Sequence, residues 1–244
     1  MTIGIAHRGF SGKYPENTML AFEKALEAGC DGIEFDVHPS KDGHLVIIHD
    51  ELLDRTTNGT GLVSHHTLEE LRQLDASAGP HAQYGPQRIP TLREYFELVK
   101  DRDIISNIEL KTSILWYDGI EEQTLALIDE YGLRDRILIS TFNHESALKF
   151  QRLAPDVKVA FLEEGRLVDT PNYLRSNGIS IYHPLYYVML QEGLLDSLLS
   201  QGIQVNAWTV NDPEHMKLLM KMGVSGIITN FPDLFNEVRG QLAP

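Results

Sequence analysis

Cysteine, long apolar runs and positive charge are all scarce in this chain of 244 residues. A single cysteine, Cys30, excludes an intrachain disulfide and suits a reducing compartment, where it is expected as a small buried apolar residue. No apolar run approaches the ~20 residues that cross a bilayer, so no membrane insertion is expected. His7 and Arg8 arrive within the first strand and leave no room for a signal peptide, so the expected location is cytoplasmic. The 21 basic residues face 35 acidic ones, a net charge of −14, which argues against nucleic acid or an anionic membrane as partner. Any anion site must be made locally positive, by a metal, a few basic side chains or helix N-termini. Zinc motifs of the H-E-x-x-H or C-x-x-C type are missing, as is a G-x-G-x-x-G after the first strand.

What the chain does have is rhythm. The run Gly32–Asp50 reads as a hairpin: Ile33, Phe35 and Val37 fall on one strand face and Glu34 and Asp36 on the other. The turn chemistry of Lys41-Asp42-Gly43 then sends the chain back through Leu45–Ile48 to His49 and Asp50. Before it, Ile3–Ala6 is a strand ending in His7-Arg8-Gly9, and a helix capped by Asn17 or Thr18 runs to Ala28. From Glu51 to Arg88 no strand–helix unit completes. Strands are then predicted over 104–110, 137–141, 157–162, 179–182, 203–209 and 226–229, alternating with helices over 92–100, 120–131, 145–153, 171–176, 190–200 and 213–222, and a helix over 233–238 closes the chain. Leaving out the hairpin mate, eight strands each followed by a helix fit an α/β fold, a (β/α)8 TIM barrel with a small insertion after the second strand. An open doubly wound sheet is the weaker alternative. The expected organisation is one domain over 1–244, with the insertion at about 44–88.

In such a barrel the strand ends build the active site. Here they deliver His7 and Arg8, then Glu34 and Asp36, then Glu109 with Lys111 two residues on. Helices cover the apolar faces, so the charged faces point to the barrel axis. Three carboxylates in a confined space repel and lose hydration, at several kcal/mol per buried ion. Lys111 and Arg8 match two of the three, and a hard divalent cation resolves the repulsion better. Oxygen-only ligation by Glu34, Asp36 and Glu109 suits Mg2+ or Ca2+. Arg8 and Lys111 then supply charge for an anion on that cation. His7 and His49 flank it, equipped for acid–base chemistry at a metal-bound phosphate.

The ordered set His7-Arg8-Gly9, Glu16-Asn17-Thr18, Glu34-Phe35-Asp36-Val37, His49-Asp50, Glu109-Leu110-Lys111 and Trp208-Thr209-Val210-Asn211 resembles the glycerophosphodiester phosphodiesterases. The likeness extends through Ile89-Pro90-Thr91-Leu92 and Gly226-Ile227-Ile228-Thr229. The resemblance implies a metal-dependent barrel hydrolase that converts glycerophosphodiesters, such as glycerophosphocholine or glycerophosphoethanolamine, to glycerol 3-phosphate and an alcohol. It implies His7 and His49 as the acid–base pair, Glu34, Asp36 and Glu109 as metal ligands, and Arg8 and Lys111 as phosphate binders. The stretch through Arg88 is then the insertion over the barrel mouth. Two departures from the family's pattern, Ser40 and Asn230, are expected to lie outside the site's immediate contacts.

Trp208, and with it Phe142, is expected to line the substrate pocket. Asp50 orients His49 or caps a turn. His38 is expected behind the site or in solvent; Tyr182 and His183 end their strand before Pro184, within reach of the pocket, but Tyr186 and Tyr187 favour packing in a loop over a role there. A lysophospholipase D acting on a lipid remains the alternative function, disfavoured by the polar stretch Arg55–Gly61. More remote are a metal-independent glycosidase, which leaves the histidines idle, and a non-catalytic phosphodiester-binding protein.

Overall fold

The computed structural model describes residues 1–77 and 81–242; Ala78, Gly79 and Pro80, within the expected insertion, lie outside the described residues. In chain order the elements are β1 (Ile3–His7), α1 (Met19–Glu27), β2 (Gly32–Pro39), β3 (Leu45–Ile47), α2 (Leu68–Leu71), α3 (Leu92–Val99), β4 (Ile105–Leu110), α4 (Ile120–Tyr131), β5 (Ile137–Thr141) and α5 (His144–Leu153). There follow β6 (Lys158–Glu163), α6 (Thr170–Ser176), β7 (Ile181–Pro184), α7 (Tyr186–Met189), α8 (Leu194–Ser200), β8 (Gln204–Ala207), α9 (Pro213–Met222), β9 (Gly226–Thr229) and α10 (Pro232–Leu242). Eight strands run parallel in the order β1-β9-β8-β7-β6-β5-β4-β2, and the β1–β2 pairing closes the ring. The result is the predicted (β/α)8 barrel, with β3 attached antiparallel to β2 outside it.

The pleat of β2 sets the division between core and site. Phe35 packs between Phe22 of α1 and Tyr95 of α3, at centroid distances of 5.7 and 4.2 Å. Ile33 and Val37 share that outer face and are fully buried, each worth roughly 1.5–3 kcal/mol as a buried side chain. The alternate positions must point to the axis, and the register lines them up: His7 lies beside Glu34, Glu34 beside Asn107, and Asp36 beside Glu109.

The helix starts follow capping chemistry. Thr18, not Asn17, caps α1, its hydroxyl accepting from the Ala21 N–H at 3.2 Å. Thr91 and Glu94 form a reciprocal capping box on α3. Gly9 closes the first strand–helix loop at φ 76°, where a Cβ would stand 2.7 Å from the Ala21 carbonyl carbon, so the His-Arg-Gly sequence ends in the one residue that fits.

Two expectations shift. The helix expected over 190–200 begins only at Leu194, after Gly193 turns the chain at φ 78°, and a separate short helix, α7, opens at Tyr186 and Tyr187 where a packed loop is expected. The strand expected over 203–209 is shorter, since Trp208 keeps only an isolated bridge to Leu185. The insertion, polar in sequence, carries a small core of its own around Val46, Leu53, Val63 and Leu71.

Candidate active site

At the C-terminal ends of the strands, His7, Arg8, Glu34, His49, Glu109, Phe142 and Trp208 line one cleft. Asp36 and Lys111 lie against it: Lys111 Nζ is 2.8 Å from Glu109 Oε1 and 3.6 Å from Asp36 Oδ1. Every residue singled out from sequence therefore meets at one end of the barrel. Oxygens of Glu34, Asp36 and Glu109 lie within 4.8 Å of one another, and all three side chains are buried.

The charges do not balance locally. Lys111 serves Glu109 and Asp36, whereas Arg8 is shared: its Nε stands 3.6 Å from Asp36, but its Nη1 donates to Glu16 at 2.9 Å. Glu34 is left with the Arg8 backbone N–H at 3.0 Å and the His7 ring at 3.9 Å. Burial, reinforced by Asp36 and Glu109, therefore pushes the Glu34 carboxyl well above the usual carboxylate range. Burial also raises Glu109, against the pull of Lys111. Asp36 goes the other way, because Lys111, Arg8 and the Asn17 amide outweigh its desolvation. Lys111 is correspondingly raised by Glu109 and Asp36 in spite of burial. Asp36 Oδ1 and Arg8 Nε, both buried, have no hydrogen-bond partner.

Each flanking imidazole is fixed by its Nδ1. His7 donates from Nδ1 to Asn230 Oδ1 at 2.6 Å, leaving Nε2 on the side of Glu34. His49 donates to Asp50 Oδ1 at 2.5 Å, so Asp50 orients its neighbour, and Lys111 Nζ approaches His49 Nε2 at 3.3 Å. Burial and the adjacent Arg8 lower the His7 pKa to about 4, so its ring is neutral at pH 7. Below His49, the buried His38 donates from Nε2 to the His49 carbonyl at 3.1 Å and accepts from the Tyr117 hydroxyl at 3.1 Å. Phe142 and Trp208 meet edge to face at 5.5 Å and form the apolar wall of the cleft.

Asn230, expected outside the residues that touch metal and phosphate, stands behind His7 and positions its ring, one residue past the end of β9 and on the side of Ile228, which lines the cleft. Ser40 does lie in the hairpin turn, bonded to Asp42 at 2.7 Å. Three further contributors escaped the sequence reading. Asn17, at φ 56°, donates from Nδ2 to Asp36 Oδ2 at 2.8 Å. Arg55, in the insertion, grips Asp50 at 2.7 Å and Glu16 at 2.8 Å, so Glu16 joins Arg55 to Arg8. These links are made by loops, where no periodicity marks a partner. His183, for which packing was favoured over a pocket role, is buried in β7 and also lines the cleft.

A profile of the glycerophosphoryl diester phosphodiesterase family matches residues 7–234. A glycerophosphodiester phosphodiesterase of Caldanaerobacter subterraneus subsp. tengcongensis is 46% identical over 240 residues, covering 98% of both chains. One from Bacillus altitudinis is 42% identical, covering 99% of this chain and all of the relative. Among solved structures, an Oleispira antarctica phosphodiesterase in complex with its product sn-glycerol-3-phosphate aligns with a TM-score of 0.87 at 29% identity, covering 98% of this chain and 97% of that one. With this sequence, this fold and this cleft, the chain belongs to the glycerophosphoryl diester phosphodiesterase family and is an enzyme of that activity.

Proposed function

We propose that the chain hydrolyses small glycerophosphodiesters, such as glycerophosphocholine and glycerophosphoethanolamine, to glycerol 3-phosphate and an alcohol, with residues 1–244 acting as one domain. One observation carries the reading: two ring-locked imidazoles share a cleft with three converging carboxylates, one of which has no cation of its own. The donor set fits a hard divalent cation, Mg2+ or Ca2+, since it is all oxygen and one buried acceptor, Asp36 Oδ1, accepts no hydrogen bond. Glu34, Asp36 and Glu109 would hold that ion, which when bound supplies positive charge at the phosphate oxygens.

The remaining work falls to the chain's own groups. Arg8, whose buried Nε is unpartnered, and Lys111 bind the phosphate oxygens. His7 is neutral with its Nδ1 proton committed to Asn230, so its Nε2 accepts a proton from the nucleophile. His49, its ring held through Nδ1 by Asp50, presents Nε2 to the cleft and from it delivers a proton to the leaving oxygen. Phe142 and Trp208 pack on the carbon skeleton of the substrate. The test is glycerol 3-phosphate release from glycerophosphocholine by the parent, His7→Ala, His49→Ala and Glu109→Ala, with and without EDTA. Loss of ~10^2-fold or more is expected for each histidine variant, with collapse in EDTA. Unchanged turnover by His7→Ala, or full activity in EDTA, overturns the assignment.

A lipid substrate is favoured by one feature that the sequence reading did not weigh. The loop joining β4 to α4 exposes Ile114 (74%) and Trp116 (52%) near the mouth, although the insertion is polar there. Lysophosphatidylcholine with a higher kcat/KM than glycerophosphocholine would establish that reading.

A further inference from the structure

A second cavity lies at the end of the barrel opposite the histidines. It measures about 860 Å3, within the range of small-molecule sites. Its floor is aliphatic, built from inward-facing residues at the strand starts: Ile3 of β1, Ile105 of β4, Leu138 of β5 and Ile181 of β7. Leu138 and Ile181 form a small cluster with Ala160, and Ile105 packs against it. Around this floor stand Arg136, Lys158, Lys221 and Arg239, with Asp135 the single acid on the lining.

The state of each cation matters. Arg239 is neutralised by Asp31 at 2.6 Å. Arg136 is tied to main-chain carbonyls, including that of Lys100 at 2.8 Å, which orient it without cancelling its charge. Lys158 and Lys221 make no ion pair among the described residues, and both are exposed. Among the described residues of the lining, three cations without an ion-pair partner stand against one acid, a positive rim on a chain whose net charge is −14. Among the described residues no aromatic side chain lines the cavity, so these residues offer no stacking surface for a nucleobase or other flat ring.

We propose that this basal cavity is a second ligand site, for a single-chain anionic amphiphile: an unbranched alkyl chain on the Ile105–Leu138–Ile181 floor and its carboxylate or phosphate head between Lys158, Lys221 and Arg136. One residue of its wall also belongs to the hydrogen-bonded structure behind the active site. Asn206 lines the cavity, and its amide donates to His183 Nε2 at 3.0 Å; the His183 carbonyl accepts from Trp208 Nε1 at 2.7 Å.

Isothermal titration calorimetry of the full chain with dodecanoate and with dodecyl phosphate, below micellar concentrations, tests the proposal and separates the two head groups. Dodecanol and dodecyltrimethylammonium serve as uncharged and cationic controls. Saturable binding of one equivalent of at least one anion is expected, with the cationic control silent. The double variant Lys158→Glu/Lys221→Glu changes exposed side chains only, and its thermal melt reports that it is folded; binding should weaken by roughly tenfold or more. Ile105→Trp, at a half-buried floor position, should block the chain and leave the head-group cations in place. No saturable binding of either anion overturns the proposal. So do equal binding of the cationic control and undiminished binding by the folded charge-reversal variant. The phosphodiesterase assay is independent of this outcome.

Discussion

Replacing Glu34 by glutamine should stabilise the metal-free protein while abolishing its function. Glu34 is a buried carboxylate with Asp36 and Glu109 on one side and no cation of its own. Its raised pKa means that the folded state binds a proton more readily than the unfolded chain. Each unit of that rise costs folding about 1.4 kcal/mol at a pH where the unfolded chain is ionised. Glutamine removes the charge, keeps the volume and still accepts the Arg8 N–H now held at 3.0 Å. Relief on the order of 1–3 kcal/mol is expected, which for a chain of this length is roughly 2–10 °C in Tm. In the parent, a cation at ~100 times its Kd adds about 2.7 kcal/mol, and the variant, one ligand short, should lose most of that response. Thermal melts by circular dichroism, in EDTA and in excess Mg2+ or Ca2+, therefore predict a crossing: variant above parent without metal, parent gaining and variant flat with it. A variant that melts below the parent in EDTA, or keeps the full metal shift, would refute the charge argument.

Asn230→Asp puts a carboxylate against His7 Nδ1 and should raise the imidazole pKa by about one to three units. With His7 as the proposed base, the acid limb of the kcat/KM profile should then move to higher pH; an unmoved limb removes Asn230 from the control of His7. Arg55→Ala cuts the links to Asp50 and Glu16 and should lower kcat by about tenfold with little change in Tm, since half-exposed ion pairs add little stability. An unchanged kcat would show that the insertion does not position His49. Apparent metal affinity, measured by calorimetry, should climb with pH, since the raised carboxyls of Glu34 and Glu109 must give up protons to bind; a pH-independent Kd would contradict those shifts. Finally, burial lowers His38 to about 4 and His183 to about 3, so the unfolded chain binds more protons between pH 6.5 and those values. Stability should fall as pH drops below 6.5, by up to ~1.4 kcal/mol per pH unit for each ring; urea midpoints of His38→Asn should show a shallower fall, and parallel curves would rule out its contribution.

The alternation of Ile33, Phe35 and Val37 with Glu34 and Asp36 was enough to place two carboxylates on the barrel axis, because side chains on a strand change face at every residue. Alternation of strand and helix gave the parallel barrel in the same way, and His7, Glu109 and Lys111 followed from their places at strand ends. Periodicity carries no such information through loops. Asn17 reaches Asp36, and Arg55 reaches Asp50 and Glu16, only because the fold brings three separate loops to one mouth. Glu34 shows the limit most clearly. Its position is legible in a two-residue repeat, but its lack of a countercharge depends on how Arg8 divides itself between Asp36 and Glu16, and that is settled by distances through space.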